Sequence, residues 1–155
     1  MDVVFATEKA VFNYRVAGVW IEDGHVLLHR DKNDSSWSLP GGRVEIGEEA
    51  QASIKREFLE ELGIDMNVHR LVLIIENFFE YRGRDFHEMR LYFLVTPIRS
   101  SREINTTPFH GTEGDRLIYK WTPLEDLENL ELYPRFLRTE LQNLPNGTGH
   151  FVQRQ

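Results

Sequence analysis

Cysteine is absent from this chain of 155 residues. Its absence excludes disulfides, thiolate zinc sites and a cysteine nucleophile, and it fits a reducing compartment. Long apolar runs are lacking too. The clearest is Leu71–Ile75, far short of the roughly 20 residues of a membrane span. The opening stretch, MDVVFATEKAVF, lacks the basic start and apolar middle of a secretion signal. A soluble, cytoplasmic protein with no membrane partner is the expectation. Positive charge is also scarce. There are 18 Lys and Arg against 25 Asp and Glu, a formal net charge of −7, so the chain has no general attraction for long nucleic acid or anionic membrane. What is present is a globular composition, 41% apolar and 28% charged. The length supports one core rather than two.

No internal repeat and no Pro/Ser-rich linker divides the chain. A single domain is expected over 1–145, with 146–155 as a loose tail. Val11–Glu22 and His25–Arg30 read as the strands of a hairpin around Glu22-Asp23-Gly24. Trp37-Ser38-Leu39 is a short extended piece, because the residue before Pro40 avoids the helical region. Glu49–Leu62 predicts a helix. No Pro or Gly interrupts it, Gly63 follows as a stop, and Ala50, Ile54, Phe58 and Leu62 form an apolar stripe. Val68–Phe79 and Phe86–Thr96 predict strands, Arg99–Asp115 a long polar loop, and Leu117–Thr122 a further strand. Pro123–Leu130 and Pro134–Leu144 are expected helices with Pro in the first turn. Consecutive hairpins argue against a regular βαβ series.

The chemistry concentrates in residues 42–64, GRVEIGEEAQASIKREFLEELGI. Glu57, Glu60 and Glu61 stand at i, i+3 and i+4, so a helix places them within one turn on one face. Two carboxylates about 4 Å apart repel by roughly 1 kcal/mol in water and about 4 kcal/mol near a protein surface. A hard divalent cation reverses that sign, and Mg²⁺ suits oxygen ligands shared with water and substrate phosphates. A merely solvated acidic face is the plain alternative. The wider spacing narrows the choice. From Gly42 there are five residues to Glu48 and seven more to Arg56-Glu57, followed by Phe58, Glu60-Glu61 and Gly63-Ile64. This resembles the Nudix box, G-x5-E-x7-R-E-U-x-E-E-x-G-U with U apolar. Every fixed position matches, against a chance agreement of about 10⁻⁸ per window. Phe58 departs mildly from the usual aliphatic residue. Trp37-Ser38-Leu39-Pro40-Gly41-Gly42 resembles the family's lead-in, and elsewhere only the order of elements is similar.

The resemblance implies an α/β fold, a Nudix-type α/β/α sandwich around a mixed β-sheet. It implies metal-dependent hydrolysis of a pyrophosphate linkage in a nucleoside diphosphate joined to a group X, with Mg²⁺ or Mn²⁺ as cofactor and a small nucleotide as partner. By similarity, Glu57 and Glu61 are the principal metal ligands, Glu60 binds metal or orients water, and the Gly41 carbonyl completes the set. Glu48 steadies the loop–helix junction or reaches a metal through water, and Arg56 orients a neighbouring carboxylate. The general base lies either in the box or in a distant loop, where His110, Glu113 and Asp115 are candidates.

Arg43, Arg30 and Arg90 are candidate phosphate contacts, with plain surface placement as the alternative. Tyr81 lies at about the distance from the box where some dinucleoside polyphosphate hydrolases carry a Tyr; an ordinary surface residue is the bland reading. Phe78, Phe79 and Glu80 occupy the place of the Pro that marks many ADP-ribose hydrolases. A catalytically weak, nucleotide-binding regulatory Nudix domain is the alternative function. The presence of all four box glutamates favours an enzyme. The isomerases of this fold rely on a cysteine that is absent here, and RNA decapping would be helped by a basic surface that is not visible. A homodimer is common in the family and is expected. The box itself holds six Glu against three basic residues, so a polyanion would approach it through a cation.

Overall fold

The computed structural model describes residues 1–99 and 104–155. Among these residues the strands are β1 (Val4–Ala6), β2 (Ala10–Val19), β3 (Ile21–Glu22), β4 (His25–Asp31), β5 (Gly41–Arg43), β6 (Met66–Tyr81), β7 (Arg84–Pro97), β8 (Phe109–His110), β9 (Leu117–Pro123) and β10 (Gly149–Arg154). One sheet runs β1-β2-β7-β6-β10, with β5 beside β1 on the edge of β2. It is mixed: β2–β7 and β6–β10 are parallel, the other pairs antiparallel. The second sheet, β3-β4-β9-β8, is antiparallel throughout. Among the described residues no helix is long and apolar enough to cross a membrane.

Helix α1 (Ala50–Leu62) lies on one side of the mixed sheet. Its stripe buries Ile54 and Phe58 among Val16, Met66, Phe93 and Val95. A Cβ on Gly18 would collide with the Phe58 ring, so glycine lets the helix settle close to β2. Gly63 ends the helix in the left-handed region at φ 67°, and its N–H donates to the Leu59 carbonyl. That closes the last turn and spares a side chain the strain of positive φ. On the other side, Ala17, Leu73, Ile75 and Tyr92 pack against Leu127, Leu132, Leu137 and Leu141. Burying Ile54 and Phe58 fully stabilises the helix docking by roughly 1.5–3 kcal/mol each.

The expected sandwich is present, and several local expectations change. Val11–Glu22 does not form one hairpin arm. It splits at Trp20, with β2 joining β7 in parallel and only Ile21-Glu22 pairing back to β4. The predicted helices Pro123–Leu130 and Pro134–Leu144 are a 3₁₀ turn at Leu124–Asn129 and a four-residue helix α2 at Leu137–Glu140. Leu124, Leu127 and Leu130 recur every three residues, which fits three residues per turn better than 3.6. The expected loose tail is also corrected, since Gly149–Arg154 pairs in parallel with Leu73–Phe78. Phe151 stacks on Phe136 at 4.7 Å, and Arg154 lies 4.2 Å over Phe78. Within the expected loop Arg99–Asp115, Phe109-His110 is a strand; residues 100–103 lie outside the described residues.

Candidate active site

The short strand β5 carries Gly41-Gly42-Arg43 along β2, where Gly41 faces Ala17 and Gly42 faces Val16. Helix α1 crosses directly above. A Cβ at Gly42 would collide with the Glu57 carboxylate, so a bare backbone is required where helix and strand meet. The cleft beside this crossing has a volume of about 360 Å³ and is lined by Asp2, Arg15, His29, Gly41, Gly42, Arg43, Glu57, Glu61, Arg116 and Leu117.

Glu57 and Glu61 face each other across one helical turn in this cleft. Burial and then the neighbouring Glu57 charge push the Glu61 carboxyl up to about 8. Burial raises Glu57 as well, although the Arg56 guanidinium opposes the rise. Tyr119 on β9 donates its hydroxyl to Glu61 Oε2 at 3.1 Å and orients it. Burial and the adjacent Glu61 drive the Tyr119 hydroxyl far above the usual phenol range, so it stays a donor.

Arg56 gathers the remaining acids. It donates Nε to Glu48 at 2.8 Å, Nη1 to Glu57 at 3.1 Å and to Glu60 at 3.2 Å, and Nη2 to the Arg43 carbonyl at 3.2 Å. Glu48 in turn accepts from the Glu45 N–H at 3.2 Å. The Arg56 hydrogen bond holds the Glu48 carboxyl down to about 2. Arg56 and Glu48 therefore tie the end of β5 and the residues after it to the helix. Glu60 is half-exposed and directed to Arg56 rather than into the Glu57–Glu61 pair.

The loop after β8 is anchored to the end of α1. The Thr112 N–H donates to the Glu61 carbonyl at 2.8 Å, and a Cβ at Gly111 would strike that same carbonyl. This brings Glu113 to a small hollow shared with Glu61 and Tyr119. Glu113 ion-pairs with Arg116 at 3.9 Å. Asp115 instead pairs with Lys32 at 3.3 Å, and His110 meets the Leu117 carbonyl at 3.1 Å. Of the three base candidates, Glu113 is the one that shares a hollow with Glu61.

The predicted substrate contacts separate. Arg43 lines the cleft. Arg30 stacks on Trp37 at 5.1 Å and donates to the Asp34 carbonyl at 2.8 Å. Tyr81 sits half-exposed at the β6–β7 hairpin tip, edge-on to Phe86 at 5.9 Å, and does not line the cleft. Arg90, for which surface placement was the plain reading, is largely buried and pairs with buried Glu88 at 3.1 Å. Sequence reasoning missed Arg15, His29 and Tyr119. Their only signal in the sequence is strand alternation, and the pairing that brings them to the cleft is long-range.

A divalent cation is expected from the family, and the donor set fits one. Burial raises the proton affinity of both carboxylates, the Glu57 charge raises that of Glu61 further, and the cradle beside them tolerates no side chain at Gly42. Among the described residues no group of three or more His, Cys, Asp or Glu converges as a ready cage. Two carboxylates with a carbonyl suit a hard ion that keeps water and shares substrate oxygens.

The fold and the acidic helix set against the glycine strand β5 define a Nudix domain. The family model for the NUDIX domain matches residues 13–143, and the chain belongs to the Nudix family. It is 37% identical over 73 residues to the MutT-like protein of Streptomyces ambofaciens, covering 46% of this chain and 47% of that protein. The chain thus spans about half the length of that curated relative. It is 28% identical over 145 residues to the RNA pyrophosphohydrolase of Roseobacter denitrificans, covering 83% of this chain and 89% of that one. The crystal structure of the MutT protein from Methanosarcina mazei Go1 superposes with a TM-score of 0.61 at 24% identity, covering 88% of this chain and 94% of that one.

Proposed function

We propose that this protein hydrolyses a pyrophosphate linkage in a nucleoside diphosphate joined to a group X, with Mg²⁺ or Mn²⁺ held by Glu57, Glu61 and the Gly41 carbonyl. The observation that carries the reading is the largely buried Glu57–Glu61 pair set against the bare Gly41-Gly42 backbone of β5. Two carboxylates with raised proton affinity, facing a cleft, are an arrangement that favours binding of a cation. When bound, the divalent ion would neutralise charge developing on the phosphoryl oxygens and acidify water.

The chain's own residues do the rest. Tyr119 fixes one Glu61 oxygen, and Arg56 fixes Glu57 and Glu48. Glu113, next to Glu61, takes the proton of the attacking water. The water oxygen bonds to phosphorus, the bridging P–O bond breaks, and the leaving phosphate carries off the electron pair. Products are a nucleoside phosphate and phosphorylated X. The RNA pyrophosphohydrolase named for the Roseobacter relative belongs to this reaction class.

The test is a panel of nucleoside triphosphates, nucleotide sugars, dinucleoside polyphosphates and capped RNA, assayed with Mg²⁺ or Mn²⁺ and resolved by chromatography. Turnover of at least one class that depends on Glu61 supports the enzyme. Metal binding without turnover of any class points to the regulatory, binding-only reading.

A further inference from the structure

Beyond the metal site, one face of the mixed sheet carries a row of like charges. Arg43 on β5 is the Cα partner of Arg15 on β2, and Arg15 is the Cα partner of Arg90 on β7. Three guanidinium stems therefore start from one transverse line, about 10 Å long at two strand spacings. Like charges directly opposite one another in a sheet are destabilising. The carboxylates that answer them are few. Glu88 lies 3.1 Å from Arg90 and 3.8 Å from Arg15, and Asp2 reaches Arg43 at 3.8 Å on the rim. Glu88 is further occupied by the Asn13 amide at 3.2 Å.

Donors are left over. Among the described residues, Arg15 Nε and Arg90 Nε are buried without a hydrogen-bond partner, as is His29 Nδ1 beside them. Burial and the flanking arginines hold His29 neutral at about 3. Burial, then Arg90, lowers Arg15 to about 10. A buried guanidinium without a full counter-charge is costly unless an anion arrives. Arg15, His29 and Arg43 line the same cleft as Glu57, Glu61 and Gly41. Along β5, Arg43 is two residues from Gly41, about 7 Å.

We propose that Arg15, with Arg43 at the rim and Arg90 behind it on the next strand, forms a receptor for the phosphate at the X end of the substrate. X is then itself phosphate, and the preferred substrate is a free nucleoside triphosphate rather than a nucleoside diphosphate sugar. Guanidinium forks match phosphate oxygens in pairs, whereas a neutral sugar would leave the unpaired donors buried. The net charge of −7 favours a small nucleotide over an RNA end. This assignment rests on the hydrolytic reading above.

Two measurements separate the claims. In the first, kcat/KM is compared for a nucleoside triphosphate and a nucleoside diphosphate sugar. Wild type is expected to favour the triphosphate, and Arg15→Gln to lose about tenfold or more on it, chiefly through KM. Its loss on the sugar substrate, which lacks the terminal phosphate, should be smaller by about fivefold or more. Arg43→Gln, on the partly exposed rim, should act in the same direction more weakly, and it leaves the Arg15–Glu88–Arg90 contacts in place. An equal loss on both substrates overturns the receptor, and so does a wild-type preference for the sugar. A preference for a 5′-triphosphorylated oligonucleotide over the free nucleotide overturns the small-molecule assignment. In the second, calorimetry follows tripolyphosphate binding to Glu61→Gln protein, with and without Arg15→Gln. Tenfold weaker binding in the double variant upholds the receptor even if no nucleotide is hydrolysed, an outcome that would sink the hydrolytic reading alone. Unchanged affinity overturns the receptor whatever the kinetics show.

Discussion

Glu57 and Glu61 sit where burial opposes their own charge. A residue kept in such a place for stability alone would be a poor choice, so removing its charge should separate activity from folding. Glu61→Gln is expected to lower turnover by about two orders of magnitude or more. Its metal-free melting midpoint should equal or exceed that of wild type, because a carboxyl whose ionisation burial opposes is replaced by a neutral amide. A midpoint several degrees lower, with activity retained, would return Glu61 to a structural role. Arg56→Gln removes bonds to three carboxylates and should reduce kcat/KM by roughly 10–100-fold, the usual range for residues that orient metal ligands.

Glu48 gives the acid limb its shape. Its carboxyl is held at about 2 against an ordinary 4.5, first by the Arg56 hydrogen bond. A depressed carboxyl stabilises the fold above the unfolded value and loses that contribution as pH falls through the folded one. The window is therefore about pH 4.5 down to 2. Urea midpoints of wild type should fall through this window, and Glu48→Gln should flatten the slope there, by roughly 1–3 kcal/mol in total. An identical acid limb in both proteins would remove Glu48 from the account. The four box glutamates were legible in the sequence because helical spacing is local. Arg15 and Tyr119 were not, because strand partners far along the chain decide which cleft they face.

At the scale of elements, α1 and its stop signal were readable, and the termini of the sheet were not. Gly63 shows why the helix was legible: a single positive-φ residue announces where it ends. Gly63→Ala should destabilise by about 1 kcal/mol, measured as a shift in urea midpoint, with little change in KM. Strand β10 shows the converse. Its apolar content is essentially Phe151 and Val152, and its order comes from β6, about 75 residues away in sequence. Alternation over six residues is too weak to distinguish a parallel edge strand from a tail. The same holds for β2, whose parallel partner β7 lies far along the chain. The divided first hairpin matters for function, since only a β2 committed to β7 aligns Arg15 with Arg90.

The whole molecule carries seven excess negative charges, so any cation will raise its stability somewhat by screening. Specific binding at the Glu57–Glu61 pair must exceed that background. At about 100 times the dissociation constant, one bound ion adds roughly 2.7 kcal/mol. In a domain of this size that raises the melting midpoint by about 5–10 °C. The comparison that isolates it holds ionic strength constant, with Mg²⁺ in one sample and Na⁺ in the other. Wild type should show the full difference and Glu57→Gln little of it, while both should respond alike to Na⁺. If Glu57→Gln keeps the same Mg²⁺-specific increment, the ion is bound elsewhere on the acidic surface. The glutamate pair would then have to be explained without it.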